Sequence, residues 1–450
     1  LTARDQFVGP WQVPVADVAV TAMSFQGYRG EAFAMGERTP LACVDAPASG
    51  RMAIGEAITN IAAADIERLG DVKLSANWMA AAGHRGEDAK LYDTVKAVSG
   101  FCIAAGLSIP VGKDSLSMRT AWQDAGEDKQ VVAPLSLIAT AFAPVRDIRN
   151  TLTPQLQLPE GVDTELLLID LGNGLNRLGG SAFAQAYGSV GEHAPDVDPA
   201  QLKAFFDAIQ RLRGDGLLLA YHDRSDGGLF AAVCEMAFAA RCGLSLVLDT
   251  VCYDPYMNDV DGLEKKPDTL KGRFDDRLFA GLFAEELGAV VQIRRDERSR
   301  VTGLLRAAGL VYHFIGEPNA MDEIRLRRSA KLVFAASRAE LLQAWSETSH
   351  RIAMLRDDPE SVRQEIESLA DATAPGLSVS LSFDVKEDVA APFIASGLRP
   401  KVAVLREQGV NSQLEMAAAL ERAGFVPVDV HMSELQAGRA DLAGFHWLTY

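Results

Sequence analysis

The sequence has no C-x-x-C pair; its five cysteines, Cys43, Cys102, Cys234, Cys242 and Cys252, are scattered along the chain. Neither a zinc site nor a disulfide framework is indicated, and a reducing cytoplasm is the expected setting. No apolar run reaches the ~18 residues that a membrane span needs. No basic stretch followed by an apolar one opens the chain, so no secretory signal is expected. Positive charge is also scarce: 44 Lys and Arg against 61 Asp and Glu leave a net charge of −17. That is too few cations to replace the counterions of a nucleic acid, so a small anionic ligand needs local cations or a metal. Aromatic residues are 7% of the chain, and Trp11, Trp78 and Trp122 are expected to anchor packing rather than stack bases.

What remains is an ordinary globular composition, 48% hydrophobic and 23% charged over 450 residues, long enough for two or three domains. Val13 to Ser24, Pro40 to Asp45 and Val72 to Asn77 read as strands, and Arg51 to Leu69 as a helix. Asp88 to Leu107 is a second helix, and Leu135 to Phe142 closes a first α/β unit, 1–148. A polar stretch from Pro144 to Pro159 separates it from a second unit, 149–330. This unit opens with the strand Glu165 to Leu171 and holds a glycine-rich turn, the helix Gln201 to Arg213 and the strand Gly288 to Ile293. Within it, Asp254 to Gly272 reads as a surface insertion. Residues 331–398 are charged and punctuated by prolines, and are expected to be a linker. After Pro400, Lys401 to Leu405 is a buried strand, Ser412 to Ala423 a helix and Phe425 to His431 a second strand, the opening of a doubly wound sheet over 399–450. Such a domain needs more residues than remain before Tyr450, and Leu1 is not an initiator Met, so the chain is expected to be a piece of a longer protein.

Chemistry concentrates at residues 217–233, an apolar strand that runs through His222-Asp-Arg-Ser-Asp-Gly-Gly228 into an apolar helix. A strand-to-helix turn offers free N–H groups and a helix dipole to phosphate, and Asp223, Ser225 and Asp226 suit magnesium arriving with a nucleotide. The plainer reading is a structural turn with Asp226 as N-cap. Glu56 and Asn60 lie one turn apart on one helix face, either as a solvated stripe or as oxygen ligands. Asp17 interrupts an apolar strand, and such a carboxylate either faces water or has a partner such as a cation. Asp17, Glu56, Asn60 and Asp223 together offer hard oxygen donors suited to magnesium rather than zinc. Lys113 reads as a phosphate contact or a solvated turn lysine, and His222 as a hydrogen-bonded structural histidine in preference to a proton-transfer group.

Five runs in order carry a resemblance: Gly9-Pro-Trp-Gln-Val-Pro-Val-Ala-Asp17, Gly55-Glu-Ala-Ile-Thr-Asn60, Lys73-Leu-Ser-Ala-Asn-Trp-Met-Ala-Ala-Ala-Gly83, Pro110-Val-Gly-Lys-Asp-Ser115 and His222 to Gly228. They resemble phosphoribosylformylglycinamidine synthase, most closely its large single-chain bacterial form, and Lys401 to Asn411 is similar to the start of that family's glutaminase domain. The resemblance implies a mixed α/β fold. It consists of aminoimidazole ribonucleotide synthetase-like N- and C-terminal domains, the second half of a pseudo-dimer, followed by a truncated flavodoxin-like class I glutaminase start. It implies an ATP-dependent ligase that converts formylglycinamide ribonucleotide to formylglycinamidine ribonucleotide with ammonia from glutamine. Position by position, Asp17, Glu56, Asn60 and Asp223 match magnesium ligands, and Ala16 and Ser225 match contacts to ATP or ADP. The nucleotide is either turned over here or held as a structural element. The glutaminase nucleophile and the first synthetase half are expected outside these residues. No catalytic residue is therefore assigned, and the chain alone is expected not to make product. The insertion at Asp254 to Gly272 is foreign to the family pattern. No membrane or nucleic-acid partner is expected.

Overall fold

The computed structural model describes residues 1–450 apart from residue 25 and residues 254–266. Residues 254–266 carry most of the expected insertion, which therefore lies outside the described residues; its last part opens a helix. Two compact units form, 1–377 and 378–450.

The first unit holds two large sheets. Strands β1 (Thr2–Arg4), β2 (Ala19–Ala22), β3 (Gly30–Glu37), β4 (Lys73–Met79), β5 (Ser108–Ser115) and β8 (Ser136–Val145) pair in the order β1-β2-β3-β8-β4-β5. Strands β6 (Arg119–Asp124) and β7 (Glu127–Val132) form a separate hairpin. The second sheet contains β9 (Thr164–Asp170), β10 (Leu218–Asp223), β11 (Gly243–Val247), β12 (Gly288–Arg294), β13 (Val311–Asn319), β14 (Glu323–Arg328) and β15 (Lys331–Ser337), in the order β10-β12-β9-β13-β11-β14-β15.

The helices are α1 (Ala46–Ile61), α2 (Glu87–Ala105), α3 (Ala182–Ala186), α4 (Pro199–Gly214), α5 (Gly228–Ala240), α6 (Pro267–Phe283), α7 (Arg298–Ala307), α8 (Arg338–Arg356) and α9 (Pro359–Ala370). Among the described residues no helix is long and apolar enough to cross a membrane.

Strand β9 is buried at every residue because each face meets a different core. Leu167 and Ile169 point into a core shared with α1, α2 and α4, whereas Leu166 and Leu168 point into one shared with α5 and the N-terminal residues Val8, Val13 and Val15. A strand covered on both faces reads as a continuous apolar run, which is why 165–171 is legible in the sequence.

Several expectations change. Pro40 to Asp45 is not a strand: Thr39–Cys43 is a 3₁₀ turn with proline in its first residues. The fixed φ of Pro40 suits a tight turn between β3 and α1. Only Ala19–Ala22 of the expected strand Val13 to Ser24 joins the sheet, and helix α1 begins earlier than expected, capped by the Asp45 side chain on the Ala48 N–H. The expected linker begins with β15, which pairs antiparallel with β14, and continues in α8, whose Trp345 ring meets Phe238 edge-on. Further along, Ala374 accepts a hydrogen bond from Trp11 Nε1. Trp122, expected to be a packing anchor, is exposed on β6.

The second unit has a parallel sheet of β16 (Lys401–Arg406), β17 (Val426–His431) and β18 (Trp447–Thr449), with β16 in the centre. Its helices are α10 (Ala391–Ala395), α11 (Gln413–Arg422) and α12 (Met432–Gln436). Val402, Val404 and Leu420 form its small core.

Buried Asp65 ties the end of β8 to α4. It accepts hydrogen bonds from Arg146 Nε at 2.8 Å, Arg213 Nη2 at 2.8 Å and Asn150 Nδ2 at 3.2 Å. Burial alone would raise its pKa, but these donors bring it below the ordinary carboxylate range. The stability it contributes is therefore present above the ordinary carboxylate pKa and lost as the pH falls through the lowered value. Asp65→Ala leaves buried Arg213 with the neutral Gln210 amide but no carboxylate, and should cost about 3 kcal/mol at neutral pH. In urea unfolding, the gap from the parent chain should close as the pH falls below about 4.

Burial raises the Cys102 and Cys252 thiols to about 11 and Cys242 to about 12, and it raises Cys234 as well. Only Cys43 is exposed. An alkylating reagent at neutral pH should add one group to the folded chain, at Cys43, and reach the other four thiols only after denaturation.

Candidate functional site

Glycine 36 sets the distance between α1 and β3. A Cβ there would stand 2.2 Å from Ala53 O and 2.4 Å from Ala57 N, so only glycine allows this approach. Two polar residues of α1 then meet the sheet's backbone. Glu56 Oε2 accepts from the Glu37 N–H at 2.7 Å, and Asn60 Nδ2 donates to Met35 O at 3.0 Å. Both side chains turn to the sheet; Glu56 is buried, whereas Asn60 is half-buried and keeps its amide oxygen available for a ligand.

At the end of β10, His222 and Asp223 meet Asp17, which the chain leading into β2 delivers. Asp17 Oδ1 lies 2.7 Å from His222 Nδ1 and accepts from the Asp223 N–H at 3.1 Å. Asp17 Oδ2 and Asp223 Oδ2 are buried and have no hydrogen-bond partner. These residues line a cavity of about 500 Å³ together with Ala16, Asn60, Ser225 and Glu235. Five of the six expected site residues thus share one cavity. Glu56 is the sixth. It stands behind the wall, paired with Arg38 Nη2 at 3.2 Å.

Burial, with Asp17 alongside, holds the Asp223 carboxyl well above the ordinary carboxylate range, and Glu56 adds to the effect. Burial likewise raises the Glu56 carboxyl to about 7, against the pull of Arg38 and of the Glu37 N–H. Burial opposes a charged His222, but Asp17 on one ring nitrogen and Glu235 on the other hold its pKa well above the usual imidazole value.

Arg38 escaped the sequence reading. Its guanidinium is buried and reaches Glu56, Asp226 at 2.9 Å and Glu285 at 3.4 Å. Glu285 in turn accepts from the N–H groups of Ala182 and Gly227, both at 2.8 Å. The only sequence signals were a polar trio, Glu37-Arg38-Thr39, at the end of an alternating strand, and a Glu-Glu pair just before an apolar strand.

The N-terminus of α5 therefore does not wait for phosphate. Gly227 is its N-cap, no side chain caps it, and Asp226 is turned to Arg38 instead. The Glu285 carboxylate fills the place that a phosphate oxygen would take. The turn after β9 behaves in the same way: Asp170 accepts from the N–H groups of Gly172 at 3.0 Å and Gly174 at 2.6 Å. Lys113 donates to Ser115 Oγ at 2.8 Å on the edge strand β5, away from the residues that line the cavity.

The donor set fits a hard cation. Two buried carboxylate oxygens without partners are costly unless a cation or proton meets them, and carboxylates with a carboxamide suit magnesium.

Three family models match parts of the chain. Residues 1–144 match an FGAR-AT PurM_N-like domain, 164–328 the C-terminal domain of AIR synthase related protein, and 399–450 a CobB/CobQ-like glutamine amidotransferase domain. In domain make-up the chain is FGAR amidotransferase-like. Among solved structures it is similar to Thermotoga maritima PurL complexed with ATP, at 13% identity over 74% of this chain and 47% of that one, with a TM-score of 0.50. The same protein complexed with FGAR gives 13% identity, 73% and 47% coverage and a TM-score of 0.52. At this identity the likeness is one of fold, and the chain spans about half the length of those structures.

Arg38→Met should leave Glu56 and Glu285 buried without a shared cation and cost about 3 kcal/mol. Asp226→Asn alters a partner whose side chain is 81% exposed and should cost under about 0.5 kcal/mol. Urea unfolding of both variants measures the difference.

Proposed function

We propose that this chain is the second synthetase half and the opening of the glutaminase domain of a phosphoribosylformylglycinamidine synthase. That ligase of purine biosynthesis converts formylglycinamide ribonucleotide, glutamine and ATP to formylglycinamidine ribonucleotide, glutamate, ADP and phosphate. The three domain matches in sequence order support this, as does the fold likeness to PurL complexed with FGAR, ATP or ADP. The proposed division is a synthetase-like N-terminal domain over 1–148, a C-terminal one from 149, and the glutaminase start from 399. The first synthetase half is its proposed partner, without which no product forms. Cytoplasmic location is proposed with it, and five free thiols support that setting.

The observation that carries the reading is the pair of buried, unpartnered oxygens, Asp17 Oδ2 and Asp223 Oδ2, on one cavity wall. In this reading Asp17, Asn60 and Asp223 hold magnesium, and Glu56, whose oxygens meet the Glu37 N–H and Arg38, joins them by exchanging one of those partners for the cation. Bound magnesium would neutralise nucleotide phosphates, which this acidic chain otherwise lacks cations to do. Ala16 and Ser225 contact the nucleotide from the rim. Arg38 keeps Glu56 and Glu285 in place while the cavity carboxylates remain free for the cation.

Calorimetric titration of the chain with ADP and ATP in magnesium tests the site. Binding is expected for the parent chain and should be lost in Asp223→Asn and in Glu56→Ala. ADP retained through purification would mark the nucleotide as a structural element rather than a substrate. A folded parent chain that binds neither nucleotide would remove the assignment.

A further inference from the structure

Asp17, His222 and Asp223 each offer an atom within 4.8 Å of the others, so the imidazole stands where a third metal ligand would. It is not available as one. Its Nδ1 lies 2.7 Å from Asp17 Oδ1, and its Nε2 lies 2.8 Å from Glu235 Oε2. Both ring nitrogens are occupied, and magnesium prefers oxygen. Glu235 is committed too, because its second oxygen, Oε1, accepts from Trp345 Nε1 at 2.9 Å. Four side chains from four segments thus form one line: Trp345 on α8, Glu235 on α5, His222 on β10, and Asp17 ahead of β2. The Trp345 indole is fixed in turn by its edge-on contact with Phe238.

The line has a directional effect on Asp17. It directs His222 to Oδ1, which the Asp223 N–H also reaches, while Oδ2 is left buried and unpartnered. The side chain of Asp17 is 1% exposed, so water cannot perform this orientation. A histidine's ring angle is set by what holds its far nitrogen, and here that group is Glu235.

We propose that Glu235 and Trp345 are positioning residues for the magnesium–nucleotide site, acting through His222 to present Asp17 Oδ2 to the cation. This rests on the reading of the cavity given above. Groups that orient a metal's direct ligands carry much of the affinity without touching the ion. In Glu235→Gln the amide oxygen can accept from Trp345 while the amide NH₂ donates to His222 Nε2, which leaves Nδ1–H to Asp17. The geometry survives and the charge does not. Glu235→Ala removes both.

The test is calorimetric titration of the 450-residue chain with ADP at a series of fixed magnesium concentrations, for the parent, Glu235→Ala, Glu235→Gln and Trp345→Phe. Thermal melts without ligand identify the folded variants. Glu235→Ala should weaken the magnesium affinity, read from the dependence of ADP binding on magnesium, by about 10- to 100-fold. Trp345→Phe should weaken it less, and Glu235→Gln should recover most of the loss. If Glu235→Ala fails to fold, Trp345→Phe against Glu235→Gln carries the comparison. Folded variants with parental magnesium affinity overturn the proposal, as does a Gln variant as weak as Ala, since charge rather than position would then be at work. A parent chain that binds no magnesium and nucleotide overturns the cavity reading and this proposal together; magnesium binding by the parent that the variants do not alter overturns this proposal alone.

Discussion

The pairing of buried carboxylates governs the first compact unit. A carboxylate removed from water needs a cation, a set of N–H donors or a proton, or it costs several kcal/mol. Asp170 has Arg224 and two glycine N–H groups. Glu286 has Arg177, Asp65 has Arg146 and Arg213, and Glu56 and Glu285 share Arg38. Among the described residues three buried carboxylate oxygens stay without a hydrogen-bond partner, and two of them, Asp17 Oδ2 and Asp223 Oδ2, belong to residues that line one cavity. The proposed site is where two such oxygens come together, and that pairing is what a small hard cation would answer.

The same constraint explains the glycine turns. Glycine-rich segments before helices suggest phosphate cradles, because their N–H groups converge and nothing blocks an anion. In this chain the anions are its own side chains: Asp170 after β9, Glu285 at α5, and Asp88, which accepts from the Gly83 N–H at 2.9 Å. Each turn keeps the geometry of an anion site and spends it on domain structure. In the proposed reading, the phosphates of a nucleotide would be met through a cation and not at these three turns.

This sorts what the sequence could tell. Strand β9 and the start of β16 were legible because burial on both faces demands a continuous apolar run. The spacing of Glu56 and Asn60 showed a common helix face, but not that this face meets β3; that depends on Gly36, which as an isolated glycine in a strand carries no such message. Asp17 stood out as a carboxylate among valines. Its partner His222 was legible within the strand-to-turn motif, but Glu235, which holds the far nitrogen of that ring, was not, because their relation exists only once α5 and β10 pack together. Arg38 and Glu285 were hidden for the same reason: 247 residues separate them. Pro40 to Asp45 misled because a short apolar run has no period by which to tell a strand from a turn.

The distance along the chain from Asp17 to His222, 205 residues, bears on how the protein is made. At ribosomal rates of about 5 to 20 residues per second, Asp17 leaves the ribosome roughly 10 to 40 s before β10 exists. Val8, Val13 and Val15 wait as well, because the apolar core they complete is built from later segments. During that interval these residues have no completed core to join. A nascent chain of this kind would expose apolar and acidic groups side by side, and the charge of Asp17 would help keep the waiting valines in solution.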